Sequence, residues 1–319
     1  MASARPGRSC PRHYRYPPAV FARAAELQAQ SLYVVGGLYG NRFALEAVLA
    51  MARREGAALV FNGDFNWFNV DPAGFESLNE TVLQHAALRG NVETEIAGED
   101  QGAGCGCAYP EWVGDAEVER SNEILGRLRE TASAYPELRA RLAVLPMHLV
   151  AEIGGLRVGI AHGDAESLAG WQFSQEALRE RPERAEALLA GAAIDVFACT
   201  HTCLPVIQAF ATPRGTALIV NNGAAGMPNF RDTHFGLATR IAGTPSTQAL
   251  YGARLGATVV EAVPVRYDHD AWMARFDSIW PAGSPASLSY RKRIVAGPGY
   301  EMEQAVRTGA RAGAFSRAA

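Results

Sequence analysis

The chain has 319 residues, with 33 acidic against 30 basic side chains and a formal net charge of −3, so no overall field draws it to nucleic acid or to an anionic membrane. Hydrophobic residues make up 48%, enough for a sizeable core, and one elaborated domain of about 200 to 250 residues plus extensions fits the length. No apolar run approaches the roughly 18 to 20 residues that cross a bilayer, and Met1–Arg15 carries Arg and Pro without an apolar centre, so a soluble, cytoplasmic protein without a nucleic-acid coat or membrane partner is expected.

In chain order, residues 1–30 read as an N-terminal extension with a short helical stretch near Val20 to Leu27. Leu32 to Val35 is an apolar strand closed by Gly36 and Gly37, and Asn41 opens a helix whose Leu45, Val48, Leu49 and Ala52 follow helical spacing until Gly56. Ala58 to Phe61 is the next buried strand and carries Asp64 just past its end, completing a βαβ unit. An insertion near residues 98–112 holds Gly102, Gly104, Cys105, Gly106 and Cys107; such glycine density suits neither helix nor strand and belongs on the surface or over a cleft. A helix is expected from Asp115 to Thr131.

Leu156 to Ala161 and Ile194 to Phe197 are strands that lead into His162 and His201, and further strands are expected at Ala217–Val220, Phe235–Ile241 and Thr258–Val265. The main body therefore spans 31–266. The extension 267–319 should pack on it through Trp272, Phe276 and Trp280, and the Gly/Ala/Arg tail after Arg307 is expected to be disordered. Tyr290 to Arg293 reads as a solvated basic edge. Five cysteines, Cys10, Cys105, Cys107, Cys199 and Cys203, are an odd number in a chain without a secretion signal, so free thiols are expected, open to ligation.

In sheets with parallel strands, ligands bind beyond the carboxyl ends of the strands, where Asp64, Asn91, His162 and His201 all fall. One carboxylate, one amide oxygen and two imidazoles suit Mn, Fe or Zn. A single His at a strand end is more often a structural residue; here the signal is an ordered set of blocks. These are Val34 to Asn41, Gly63-Asp64, Gly90-Asn91, His162-Gly163-Asp164 and Thr200-His201-Thr202-Cys203.

The order and spacing of these blocks, from about Leu32 to Ala225, resemble the calcineurin-like metallophosphoesterases, in particular their small bacterial branch. The resemblance implies a four-layer α/β/β/α sandwich. It also implies a divalent metal (Mn, Fe or Zn) at Asp64, Asn91, His162 and His201, with Asp64 in the place of the family's bridging carboxylate. Asp64, His162 and His201 would then serve catalysis, and a metal-bound hydroxide would hydrolyse a small-molecule phosphate mono- or diester. Arg89 matches an Arg that contacts substrate phosphate in many members.

The other metal site reads differently. The family's opening Asp and His fall on Gly37 and Tyr39, its closing His falls on Cys203, and the His that protonates the leaving group falls on Val92. One reading makes Cys105, Cys107 and Cys203 replacement ligands for a second metal or metalloid; the plainer one makes Cys203 a small buried residue and the Cys-x-Cys incidental. His148, His234 and Tyr39 remain as proton donors, and Asn221 to Pro228 resembles the family's supporting glycine-rich turn. Two further functions stand beside hydrolysis: a catalytically impaired scaffold of the same fold, and a thiolate metal- or metalloid-binding protein.

Overall fold

The computed structural model describes residues 5–99 and 102–315. After single 3-10 turns at Arg12–Tyr14 and Pro18–Phe21 come β1 (Leu27–Ala29), β2 (Ser31–Val35), α1 (Arg42–Glu55), β3 (Ala58–Asn62), α2 (Pro72–Val82), β4 (Ala86–Leu88), α3 (Asn91–Ala97), α4 (Asp115–Ser133) and α5 (Pro136–Ala143). The chain continues through β5 (His148–Ile153), β6 (Leu156–Ala161), α6 (Gln175–Glu180), α7 (Pro182–Ala192), β7 (Val196–Cys199), β8 (Val206–Thr212) and β9 (Gly215–Asn221). It ends with β10 (Gly236–Ala242), β11 (Tyr251–Leu255), β12 (Thr258–Val265), α8 (His269–Ile279), α9 (Pro285–Ala296), α10 (Met302–Ala305) and β13 (Arg311–Ala312).

Local chemistry sets the first βαβ unit. Asn41 caps α1 by accepting the Ala44 N–H at 3.0 Å, and Gly56 closes the helix in the left-handed region at φ 63°. The buried strands β2 and β3 then pair in parallel, Leu32 opposite Ala58.

Two sheets result, in the orders β1-β5-β6-β7-β9-β8 and β13-β11-β12-β10-β2-β3-β4. Leu32, Val34 and Val60 of the second sheet meet Ile160, Val196 and Val220 of the first in one apolar layer. Outside the second sheet lie the apolar faces of α1, α2, α4, α5 and α8, with Leu45, Phe75, Ile124, Leu138 and Trp272. Outside the first lie α6, α7 and Phe21. The architecture is a four-layer α/β/β/α sandwich. Its parallel runs, β2-β3-β4 in one sheet and β6-β7-β9 in the other, send their carboxyl ends to a common edge.

Two local expectations are corrected. The stretch Val20 to Leu27 is not helical: a 3-10 turn ends at Phe21, and the chain then extends into β1 beside β5. Glu26 fixes this by exchanging bonds with Val150, its N–H to the carbonyl and its carboxylate from the N–H, both at 2.8 Å. The chain after Arg307 is ordered as far as it is described. Thr308 accepts from the Ala209 N–H, and β13 pairs with Tyr251 and Gly252, covering an edge that would otherwise be open. Residues 316–319 lie outside the described residues. Trp272, Phe276 and Trp280 are buried against the second sheet's helical layer, and the Trp280 indole N–H donates to the Phe68 carbonyl at 3.0 Å. No described helix is long and apolar enough to cross a membrane.

Candidate metal centre

β3 ends at Asn62, and the chain turns through Gly63 and Asp64, both at positive φ (75° and 52°). Gly63 is required by packing as well as by angle, because a Cβ there would stand 2.5 Å from the Gly90 nitrogen. Asp64 adopts the left-handed region less readily than glycine, and its backbone there is held by Glu93. This buried carboxylate accepts the N–H groups of Asp64 at 2.7 Å, Phe65 at 3.1 Å, Asn66 at 3.2 Å and Gly90 at 3.0 Å. One side chain thereby ties the loop bearing Asp64 to the start of α3, where Asn91 sits. Burial and the neighbouring Asp64 carboxylate push Glu93 up to about 7.

The site residues then close on one point. His162 Nδ1 lies 2.9 Å from the Asn62 carbonyl and donates to it, leaving Nε2 as an acceptor. That Nε2 stands 3.1 Å from His201 Nδ1, 3.2 Å from Asn91 Oδ1 and 3.3 Å from Asp64 Oδ2. His201 donates its own proton from Nε2 to the Cys107 carbonyl at 2.9 Å, and Asn91 Nδ2 donates to the Cys105 carbonyl at 2.9 Å. His162, Asn91 and His201 thus each spend a side-chain N–H on a backbone carbonyl, and Asp64 Oδ1 accepts the Val92 N–H at 3.2 Å while Oδ2 faces the cluster. Four acceptor atoms face one another, an arrangement that could hold a cation.

The same closeness couples the ionisation of these groups. Burial alone would raise Asp64, yet His162 beside it holds the carboxyl below its usual range. Burial alone would lower His162, and Asp64 outweighs it and raises the imidazole. His201, buried and facing His162, is pushed down to about 4. Among the described residues, Asp64, His162 and His201 are the one group of three His, Cys, Asp or Glu side chains whose ligand atoms all lie within 4.8 Å of one another.

On the other side of Asp64 the three departures from the family pattern form a single packing arrangement. The Tyr39 ring stands where a side chain at position 37 would project, with its Cζ 2.9 Å from an ideal Cβ on Gly37. Its hydroxyl lies 3.0 Å from Cys203 Sγ. Burial, then Cys203 and Asp64, raise the phenol well above its ordinary value, and burial raises the Cys203 thiol, so both are neutral. This neutral phenol–thiol pair fills that side of the pocket.

The insertion does reach the site, through its backbone carbonyls and through Cys107 Sγ, which lies 3.6 Å from Asn91 Nδ2. Cys105 and Cys107 are buried, and Cys107 lines the same pocket as Cys203, but the three thiols do not enter a close ligand group among the described residues. Burial raises the Cys107 thiol well above its ordinary value. Gly106 keeps the loop close: at φ 67°, it packs where a Cβ would meet the Tyr14 hydroxyl at 2.3 Å.

Arg89 does not reach the site. Its Nη1 donates to the Ala143 carbonyl at 3.0 Å, one of the unpaired carbonyls at the end of α5, and it lines a separate cavity with His13 and Thr94. His148 packs between Tyr16 and Phe21, and His234 stacks on His269 with centroids 4.2 Å apart; of the three proton-donor candidates only Tyr39 lines the pocket. The turn after β9 supports the site: Asn222 Nδ2 donates to the Gly36 and Leu237 carbonyls.

Sequence reasoning missed two residues. Glu93 stands three places after Gly90, the spacing of a capping box, and that pattern could have flagged it. Trp171 had no signal. It is set by Asp164, whose carboxylate accepts the N–H groups of Glu166, Ser167 and Gln172, and its indole N–H donates to the Cys107 carbonyl at 3.0 Å. Trp171 lines a pocket of about 220 Å³ that also has Asp64, Asn91 and His201 in its wall.

No family model and no curated protein matches the sequence. Two solved structures share the architecture. A hypothetical protein from Pyrococcus horikoshii OT3 superposes with a TM-score of 0.56 at 17% identity, covering 85% of this chain and 99% of that one. A metallophosphoesterase from Sphaerobacter thermophilus superposes with a TM-score of 0.53 at 18% identity, covering 83% and 99%. The fold is that of the metallophosphoesterases.

Proposed function

We propose that the protein is a metal-dependent phosphoesterase that hydrolyses a phosphate mono- or diester with one divalent cation held by Asp64, Asn91, His162 and His201. The observation that carries this reading is the convergence of four inward-facing acceptors, each oriented by its own bond. Their mixed O/N chemistry suits Mn, Fe or Zn. When bound, such a cation supplies positive charge against phosphoryl oxygens and acidifies water.

The chain's own residues divide the remaining work. Asp64, Asn91 and His201 line the pocket and meet the ester, while His162, 1% exposed, holds the cluster from beneath. Trp171 and Tyr109 keep water from the pocket's wall. Val92 cannot donate a proton, and the Tyr39 hydroxyl that lines the pocket is a weak acid whose pKa is raised well above its ordinary value, so esters with good leaving groups should react fastest.

The test compares wild type with Asp64→Asn at matched metal loading, since Asn also accepts a left-handed backbone. Hydrolysis of bis(p-nitrophenyl) phosphate should fall at least about 100-fold in the variant. Equal rates would favour the scaffold reading, which has one observation on its side: the Tyr39–Cys203 pair in place of a second cation's ligands.

A further inference from the structure

The outer half of the pocket is more than hydrolysis of a phosphoester requires. Tyr109 and Trp112 both stand against Trp171, with centroids 6.1 and 5.7 Å away and interplanar angles of 49° and 86°. Trp67 meets Tyr290 edge-on across the same pocket, at 6.3 Å and 81°. Trp112 is 67% exposed, so no core packing accounts for a tryptophan on this rim. Two carboxylates, Glu117 and Glu176, also line the pocket, and no Arg or Lys does among the described residues. Glu117 gives one oxygen to Arg120, and Glu176 accepts from Gln175 Nε2 at 3.0 Å.

Crossed aromatic rings with carboxylates beside them attract a cation through the ring faces and through charge together. A nucleobase would call for parallel rings that leave a slot, and an acyl chain would gain nothing from two carboxylates. A volume of about 220 Å³ also falls below the usual range for drug-sized ligands.

We propose that the pocket takes a phosphoester whose alcohol part ends in a quaternary ammonium group, of choline type, with the ammonium lying against the aromatic wall of Tyr109, Trp112 and Trp171 and its charge balanced by Glu117 and Glu176. The phosphate half of this proposal rests on the phosphoesterase reading; the ammonium half stands on the pocket wall alone.

Two measurements on the full, metal-loaded chain test it. The first compares kcat/KM for p-nitrophenyl phosphorylcholine with that for p-nitrophenyl 3,3-dimethylbutyl phosphate, the same shape with carbon for nitrogen. A preference of about tenfold for the choline ester, expressed in KM, is expected. Trp112→Ala and Glu176→Gln should each bring the ratio toward one, with Trp112→Phe retaining most of it. Equal kcat/KM for the two esters in an active wild type overturns the proposal.

The second is calorimetric titration with tetramethylammonium chloride, which needs no turnover. Saturable binding that weakens about tenfold in Trp112→Ala is expected, and its absence in wild type overturns the proposal. If neither ester is hydrolysed while tetramethylammonium binds and Trp112→Ala weakens it, the phosphoesterase reading fails and the ammonium site stands.

Discussion

Glu93 joins the loop of Asp64 to the helix of Asn91 with one carboxylate, and five N–H bonds to its two oxygens come from four backbone groups and the Asn66 amide. Glu93→Gln would turn an NH2 group toward some of those donors and leave buried N–H groups without an acceptor. The predicted loss is about 2 to 4 kcal/mol in denaturant unfolding, with weaker cation binding as Asp64 is released. Wild-type stability in the variant would contradict this role. At this scale the sequence was informative about residue types: Asp64, Asn91, His162 and His201 were legible because their chemistry is carried by their side chains. Their orientation was not, because the carbonyls of Asn62, Cys105 and Cys107 that fix it belong to the backbone, which every residue has.

Among the elements, the glycine-rich segment 102–112 separates two accounts of the cysteines. If its carbonyls are what matter, the double variant Cys105→Ala, Cys107→Ala should keep its bound metal. Gly106→Val, which forces a side chain onto the Tyr14 hydroxyl, should weaken metal affinity about 10- to 100-fold by displacing the groups that orient Asn91 and His201. Elemental analysis of the purified variants gives the answer, and metal loss in a folded double-alanine variant would return the sulfurs to the ligand set. The central strands were legible because β3 and β7 are short, mostly apolar runs and β6 is apolar apart from Arg157 near its start. The edge strands β1 and β13 were not, since they exist to complete the edges of β5 and β11, partners remote in sequence. The position of Arg89 was not legible for a similar reason: the Ala143 carbonyl it donates to ends a helix remote in sequence.

For the whole molecule, the sandwich explains why the site forms at all. Asp64 and Asn91 follow β3 and β4 of one sheet, while His162 and His201 follow β6 and β7 of the other, so the cluster spans the two sheets at their common edge. Tyr39 and Cys203, packed over Gly37, fill one half of that edge with a neutral pair, so the proposed function calls for a single cation. The most direct test is to titrate metal-free protein with Mn or Zn while following hydrolysis of bis(p-nitrophenyl) phosphate. The rate should rise to a plateau at one equivalent of metal per chain; a plateau at two equivalents, or no hydrolysis at any ratio, would contradict a one-cation phosphoesterase.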